Sequence, residues 1–128
     1  MPTIAQEHKF FNGAVEAMLK TEDDSAESGS SLYDEGFRED DIAKQDITRL
    51  QEECRRFMEN AERRGYFDNA SDYYQAGIDF ILTRNEHGTG FWDRPKEYGT
   101  EAATRLTEMC EDFGSIDAFV DDGTIYLE

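Results

Sequence analysis

Residues 116–127, which read IDAFVDDGTIYL, decide the fold class of this chain. Apolar and polar residues alternate on both sides of Asp122-Gly123, a dipeptide that favours the two-residue turn of a β-hairpin. The alternating apolar positions are Ile116, Ala118, Val120, Ile125 and Leu127. The pattern predicts an antiparallel hairpin at the C-terminal end of the sequence.

Apolar residues at helical spacing predict about four helices before the hairpin, and hence an α+β fold. The predicted helices cover residues 3–20, about 41–63, a segment from a cap at Asn69 or Ser71 to Arg84, and about 97–113 with a stop at Gly114. Gly77, inside the third helix, indicates the close approach of another element. Residues 90–93 are predicted as a short strand if the sheet has three strands instead of two.

The composition is that of one folded domain over residues 1–128. The chain has 128 residues, of which 38% are hydrophobic and 12% aromatic, and this apolar content is too high for a disordered acidic tail. Cys54 and Cys110 lie in helical patterns, far apart, without the density of a disulfide scaffold or the spacing of a metal site. We predict two buried thiols.

The net charge of -17 excludes several classes of partner. Nucleic acid and anionic lipid surfaces would repel such a chain, so we expect direct binding to neither. No stretch approaches the roughly 18 apolar residues of a membrane helix, and residues 1–20 do not resemble a secretory signal. The expected location is the cytoplasm.

The negative charge is concentrated in two blocks of sequence. Residues 21–41 carry nine acids and one base, Arg38, and residues 111–128 carry six acids and no base. The first block includes a predicted mobile acidic loop over 21–38, pinned to the body by Leu32, Tyr33 and Phe37. Because like charges repel, the blocks need an explanation, which is a solvated loop, adaptation to high salt, or a binding role.

A second candidate site lies in residues 79–94, which read DFILTRNEHGTGFWDR. It offers one His, no adjacent Ser or Cys nucleophile and no phosphate-binding glycine motif, so we expect neither catalysis nor a metal or cofactor. Its candidate contact residues are Asn85, His87, Trp92, Asp93 and Arg94. The structural interpretation predicts an ion pair of Arg84 or Arg94 with Asp79 or Asp93, a helix cap at Asn85, and core positions for Phe91 and Trp92.

The same segment resembles one in small acidic proteins of tailed bacteriophages and related mobile elements. The shared pattern is D-F-x-L-T-R-N-x-H-G-x-G-F-W-D-R over residues 79–94, followed by a helix and an ending that here reads DAFVDDGTIY over 117–126. The chain departs from the commoner pattern at Ile78 and Ile81, where His and Trp are frequent. The resemblance covers about the C-terminal half and implies a phage origin, but it brings no activity with it.

The charge itself suggests mimicry of DNA. Seventeen charges correspond to about 29 Å of duplex at one charge per roughly 1.7 Å of axis. A compact chain of this length has a diameter on the order of 36 Å, so its charge per unit length is comparable to that of DNA. With the phage resemblance, this predicts an anti-CRISPR or anti-restriction inhibitor, not an enzyme, that occupies the nucleic-acid-binding surface of a basic host defence protein.

The predicted partner-binding residues are the acids of the two blocks: Glu22, Asp23, Asp24, Glu27, Asp34, Glu35, Glu39, Asp40, Asp41, Glu111, Asp112, Asp117, Asp121 and Asp122. The inhibitor would act in the host cytoplasm as a monomer or homodimer. Two alternatives stay open. One is a regulatory module that binds a partner through residues 85–94, and the other is an enzyme that uses His87 on a cationic substrate.

Overall fold

The computed structural model describes residues 2–21, 31–86 and 89–128. Its elements are α1 (Ile4–Thr21), α2 (Lys44–Arg63), α3 (Tyr73–Arg84), α4 (Pro95–Tyr98), α5 (Thr100–Phe113), β1 (Ala118–Asp121) and β2 (Thr124–Leu127). Two 3₁₀ turns, Glu39–Asp41 and Phe91–Asp93, lie in the connections. The α+β prediction is therefore confirmed, with four long helices and a two-stranded antiparallel sheet.

The helices enclose a core that is rich in aromatic rings. The ring of Phe57, on α2, lies 4.6 Å from that of Phe80 and stacks on that of Phe91 at 5.5 Å. The ring of Phe10, on α1, also packs against that of Phe80, with the ring centroids 5.5 Å apart. These four side chains are fully buried and supply much of the apolar area that drives folding.

Both cysteines are buried and free, as predicted. Burial raises the pKa of the Cys54 and Cys110 thiols well above the ordinary value, because a thiolate would lose its hydration there. Both thiols are therefore protonated at neutral pH.

The predicted close approach at Gly77 is also confirmed. A Cβ at this position would overlap the backbone carbonyl of Phe10, so α1 and α3 are in backbone contact. Only a residue without a side chain allows this distance. None of the described helices combines the length and the apolar character that a membrane-spanning segment needs.

The hairpin forms at the predicted turn. Asp122 and Gly123 have φ of 52° and 78°, as a two-residue type I′ turn requires. The register pairs Ala118 with Leu127, Phe119 with Tyr126, Val120 with Ile125, and Asp121 with Thr124. Ala118, Ile125 and Leu127 are buried, so one face of the hairpin packs on the helices and the other faces outward.

The predicted third strand over residues 90–93 is wrong. Gly90 has φ of 144°, and the Asp93 carboxylate accepts a hydrogen bond from its backbone N–H, which closes a 3₁₀ turn instead. The element beside β2 is the chain at Ile42, which forms an isolated parallel bridge with Ile125.

Two helix boundaries also differ from the prediction. The N-cap of α3 is Asp72, whose carboxylate accepts from the Gln75 backbone N–H at 3.0 Å. The predicted helix over 97–113 is two helices, because Gly99 adopts φ of 94° between α4 and α5. The stop at Gly114, with φ of 73°, is confirmed.

Candidate binding surface

The acidic segment before α2 is fixed to the body by apolar side chains. Leu32 is fully buried, and Tyr33 and Phe37 pack against the core while staying partly exposed. The Tyr33 backbone N–H donates to the Leu19 carbonyl at 2.9 Å, which ties the segment to the end of α1. Asp34 and Glu35 lie on the turns of residues 32–36 and are exposed.

Arg38, the single base of the first acidic block, is occupied locally. Its guanidinium lies over the Tyr33 ring, 3.8 Å from the centroid, and donates to the carbonyls of Tyr33 and Phe37 at 3.0 and 2.7 Å. Its backbone N–H donates to the Asp41 carboxylate at 2.8 Å. The Arg38 guanidinium thus stabilises the conformation of the chain just before the 3₁₀ turn Glu39–Asp41.

The two acidic blocks meet at the hairpin. The bridge between Ile42 and Ile125, with a hydrogen bond of 2.8 Å from the Ala43 N–H to the Ile125 carbonyl, places the 3₁₀ turn beside β2. Ile42 directly follows the 3₁₀ turn Glu39–Asp41, so the bridge brings the end of the first acidic block to the edge of the hairpin. We call the surface that carries six of these carboxylates the acidic hairpin surface. Its residues are Glu39, Asp40, Asp41, Asp117, Asp121 and Asp122.

The carboxylates of this surface face solvent without a counter-charge. Five are exposed and Asp41 is partly exposed. Within the described part of the chain, none of the six forms an ion pair with a Lys, Arg or His side chain. The surface therefore projects a negative field that a basic partner would neutralise.

The hairpin is held in place by the start of α2. The Leu127 backbone N–H donates to the Asp46 carboxylate at 3.1 Å, and Arg49 donates to the Leu127 carbonyl at 3.4 Å. Together with the hydrogen bond from Ala43 to Ile125, these contacts pair backbone groups of β2 that point away from β1. The start of α2 therefore fixes the backbone of β2.

Of the other predicted acids, Glu111 and Asp112 lie apart from this surface. Glu22, Asp23, Asp24 and Glu27 lie outside the described residues. Glu111 and Asp112 are exposed at the end of α5, and Asp112 lines grooves that also contain Arg56 and Arg64. Arginines there offset part of the negative charge, so these two acids contribute a weaker field.

Residues 85–94, the alternative contact loop, are mostly structural. Asn85 is the C-cap of α3, as predicted, and its backbone N–H donates to the Ile81 carbonyl at 3.0 Å. Its side chain donates to the Ile116 carbonyl at 2.9 Å and accepts from the Ile116 N–H at 2.8 Å, so it also ties the helix end to the chain before β1. Asp93 accepts from Gly90 and Thr89, and these hydrogen bonds lower the pKa of its carboxyl. His87 lies outside the described residues.

The predicted ion pair is that of Arg94 with Asp79. Asp79 is fully buried and accepts from Arg94 at 2.9 Å, from Gln75 at 3.0 Å and from the Tyr98 hydroxyl at 2.8 Å. Burial raises the pKa of Asp79, although the three donors act in the opposite direction. With every contact satisfied and no exposed atom, this carboxylate joins α3 to the chain before α5 and has no access to a substrate.

Trp92 differs from the prediction. Phe91 is fully buried, but the Trp92 side chain is 52% exposed, so Trp92 is not part of the core. It lines a groove with Leu82, Thr83 and Thr107. In the alternative loop, Trp92 is a large apolar side chain that a partner can reach.

Arg84 supports the end of α5. Its side chain is fully buried and donates to Glu53 at 2.7 Å and to the carbonyls of Gly114 and Phe113 at 2.8 and 3.3 Å. These carbonyls lie at the negative end of the helix dipole, where no basic residue occurs in the last turn of α5. Arg84 is thus structural.

One feature of the surface was missed at the sequence level. Phe119 is 45% exposed, and its ring stacks on that of Tyr126 at 5.5 Å on the outward face of the hairpin. Its alternation with the buried Ala118 was the signal that could have identified it.

The described residues do not form a metal-binding group. Over residues 2–21, 31–86 and 89–128, no three His, Cys, Asp or Glu side chains are grouped so that they could hold a metal ion. Comparison of the chain with protein-family models, with curated proteins and with solved structures finds no match in any of the three.

Proposed function

We propose that this chain is an acidic inhibitor that occupies the nucleic-acid-binding surface of a basic protein, as a mimic of duplex DNA. The observation that carries the proposal is the bridge between Ile42 and Ile125, which brings residues of both acidic blocks onto one surface. Acids that are separated in the sequence can therefore face the same partner.

The physical basis is the replacement of phosphates by carboxylates. A groove that binds nucleic acid presents Lys and Arg side chains, and these also pair with Asp and Glu. Hydrogen bonds already hold the backbone of the hairpin that carries some of these carboxylates, so that backbone loses little conformational entropy when the partner binds. Binding of the inhibitor and of DNA would then be mutually exclusive.

The phage resemblance of residues 79–94 and 117–126 supports a host defence protein as the target, either a CRISPR effector or a restriction enzyme. On this proposal the protein acts in the bacterial cytoplasm, without catalysis, as a monomer or homodimer. Its effect depends on occupancy and so on its concentration relative to that of the target.

Affinity capture tests the proposal directly. The immobilised protein is exposed to bacterial lysate treated with nuclease, bound proteins are eluted with a salt gradient, and they are identified by mass spectrometry. We expect a DNA- or RNA-binding defence protein that elutes at moderate salt and that duplex DNA displaces. If no nucleic-acid-binding protein is retained, the proposal fails.

A matched pair of variants separates mimicry from total charge. The first carries E39Q, D40N, D41N, D121N and D122N, and the control carries E52Q, E59Q, D68N, E101Q and E108Q at exposed sites outside the two blocks. Each variant loses five negative charges. We expect the first to weaken capture on the order of tenfold or more and to flatten its salt dependence, and the control to do so much less.

A second candidate function rests on the exposed Trp92. An exposed Trp beside a groove is a typical binding hot spot, and it would support a regulatory module that binds through residues 85–94. On that reading, Trp92→Ala abolishes capture while the circular dichroism spectrum stays unchanged, and the five-charge variant binds normally. The two candidates therefore give opposite results with the same two proteins.

A further inference from the structure

We propose that the outward face of the C-terminal hairpin is a binding site for an arginine-rich segment of the partner, with the rings of Phe119 and Tyr126 at its centre. This inference rests on the proposed function, because it names the part of the acidic hairpin surface that recognises the partner and the chemistry that it recognises.

The strand register builds the face. Phe119 pairs with Tyr126, and Asp121 pairs with Thr124 on the turn side. On the other side the Glu128 backbone N–H donates to the Asp117 carbonyl at 2.9 Å, so these two residues are also opposite one another. Since side chains alternate across a strand, these six residues share the face opposite the buried Ala118, Ile125 and Leu127. Acidic residues therefore lie on both sides of an aromatic pair.

The aromatic pair is open to a ligand. The two rings stack with centroids 5.5 Å apart and an angle of 24° between their planes. Phe119 is 45% exposed and Tyr126 is partly exposed, so ring surface stays in contact with water. Cross-strand stacking stabilises the hairpin, but it does not require carboxylates on both sides of the rings.

Charge complementarity identifies the occupant. The face of an aromatic ring attracts cations, and neighbouring carboxylates attract them further. A guanidinium is planar, so it stacks on a ring while its N–H groups donate to carboxylates, which makes arginine a better match than lysine. An anionic ligand would be repelled, and so would a second copy of this chain, which would bring Asp117, Asp121 and Glu128 against their own equivalents.

The strand backbone on which the face is built is held by α2 and the chain before it. Contacts from Ala43, Asp46 and Arg49 hold the outer side of β2. An arginine-rich segment would therefore meet a preformed strand backbone.

A labelled peptide tests the inference. Its probe is a short fluorescein-labelled peptide of alternating arginine and serine, with binding followed by fluorescence anisotropy and by amide chemical shifts. We expect shifts concentrated in residues 117–128 and a loss of affinity of about threefold to tenfold in Phe119→Leu, which keeps an apolar side chain but removes the ring. Phe119→Tyr, which keeps a ring, should bind like the unmodified protein.

The controls separate this inference from the proposed function. Trp92→Leu removes an exposed ring elsewhere and should leave the peptide affinity unchanged. If Phe119→Leu and Tyr126→Leu both bind the peptide normally while the five-charge variant binds it weakly, the aromatic site is wrong and charge alone suffices. If the five-charge variant also binds normally, the proposed function fails with it.

Discussion

Gly13 of α1 and Gly77 of α3 lie at the same helix crossing, and each one faces the backbone of the other helix. A methyl group at Gly13 would overlap the Tyr74 carbonyl, and one at Gly77 would overlap the Phe10 carbonyl. The two contacts interlock, so neither helix can accept a side chain without moving away from its neighbour.

We therefore expect Gly77→Ala to destabilise the protein. Overpacking at the crossing outweighs the gain in helix propensity, for a net loss of about 2–3 kcal/mol in the free energy of unfolding. Urea denaturation followed by circular dichroism measures it. Thr48→Ala, on the exposed side of α2, is the control and should change stability by no more than about 0.5 kcal/mol. A Gly77→Ala protein as stable as the original would contradict the crossing.

Arg84 should be far more important for stability than an exposed arginine. Truncation in Arg84→Ala leaves Glu53 and the carbonyls of Phe113 and Gly114 without their buried donor, at a cost of about 3 kcal/mol or more. Arg105→Ala removes an exposed pair with Glu108 and should cost about 0.5 kcal/mol or less. Thermal unfolding of both variants gives the comparison, and equal melting temperatures would refute the role of Arg84.

The conformation of the hairpin turn limits which residues are tolerated at position 122. Asp122 has a positive φ, which Asn tolerates well and β-branched residues do not. Asp122→Asn should retain or raise stability, whereas Asp122→Val should lower it by about 1–3 kcal/mol. The melting temperatures of the two variants decide the matter. A stable Asp122→Val protein would show that the turn has another conformation.

The buried carboxylate of Asp79 predicts a pH dependence. Burial raises its folded-state pKa above the ordinary value of 3.8. Between the two pKa values the folded protein binds more protons than the unfolded chain. Protonation of Asp79 therefore adds to the free energy of unfolding in full below about pH 4, and this addition is lost as the pH rises through the folded-state pKa. Asp79→Asn removes this contribution, so we expect its free energy of unfolding to fall less than that of the unmodified protein over this window.

Urea unfolding at a series of pH values from acid to neutral makes this comparison. Asp68→Asn, at an exposed aspartate, is the matched control and should leave the slope unchanged. Parallel curves for Asp79→Asn and the unmodified protein would contradict the assignment.

Much of the fold could be predicted from the sequence where one local signal was sufficient. The turn at Asp122-Gly123 has a residue preference that few other structures share, and the apolar spacing along α2 has a single helical interpretation. The backbone contact at Gly77 was foreseen for a similar reason, because a glycine inside a helix has few other uses.

The errors arose where a residue pattern fitted more than one local structure, or where a contact joined distant parts of the chain. The pattern of residues 90–93 fits a strand, but the Asp93 carboxylate closes a turn on Gly90 instead. Trp92 resembles a core residue by type, yet Phe91, and not Trp92, packs against Phe57. The pairing of Ile42 with Ile125 leaves no local trace, so the meeting of the two acidic blocks could not be foreseen.

The attachment of the hairpin to α2 has a consequence for how the chain folds. The hairpin closes locally, but its contacts with Asp46 and Arg49 join residues 81 and 78 positions apart. Closing so long a loop has a high entropic cost, so docking of the hairpin should follow assembly of the helices. If docking is also the first contact to be lost, the amide hydrogens of Ala43 and Leu127 will exchange with solvent sooner than those at the centre of α2. Their exchange rate would then measure how often the acidic surface comes apart in the folded protein.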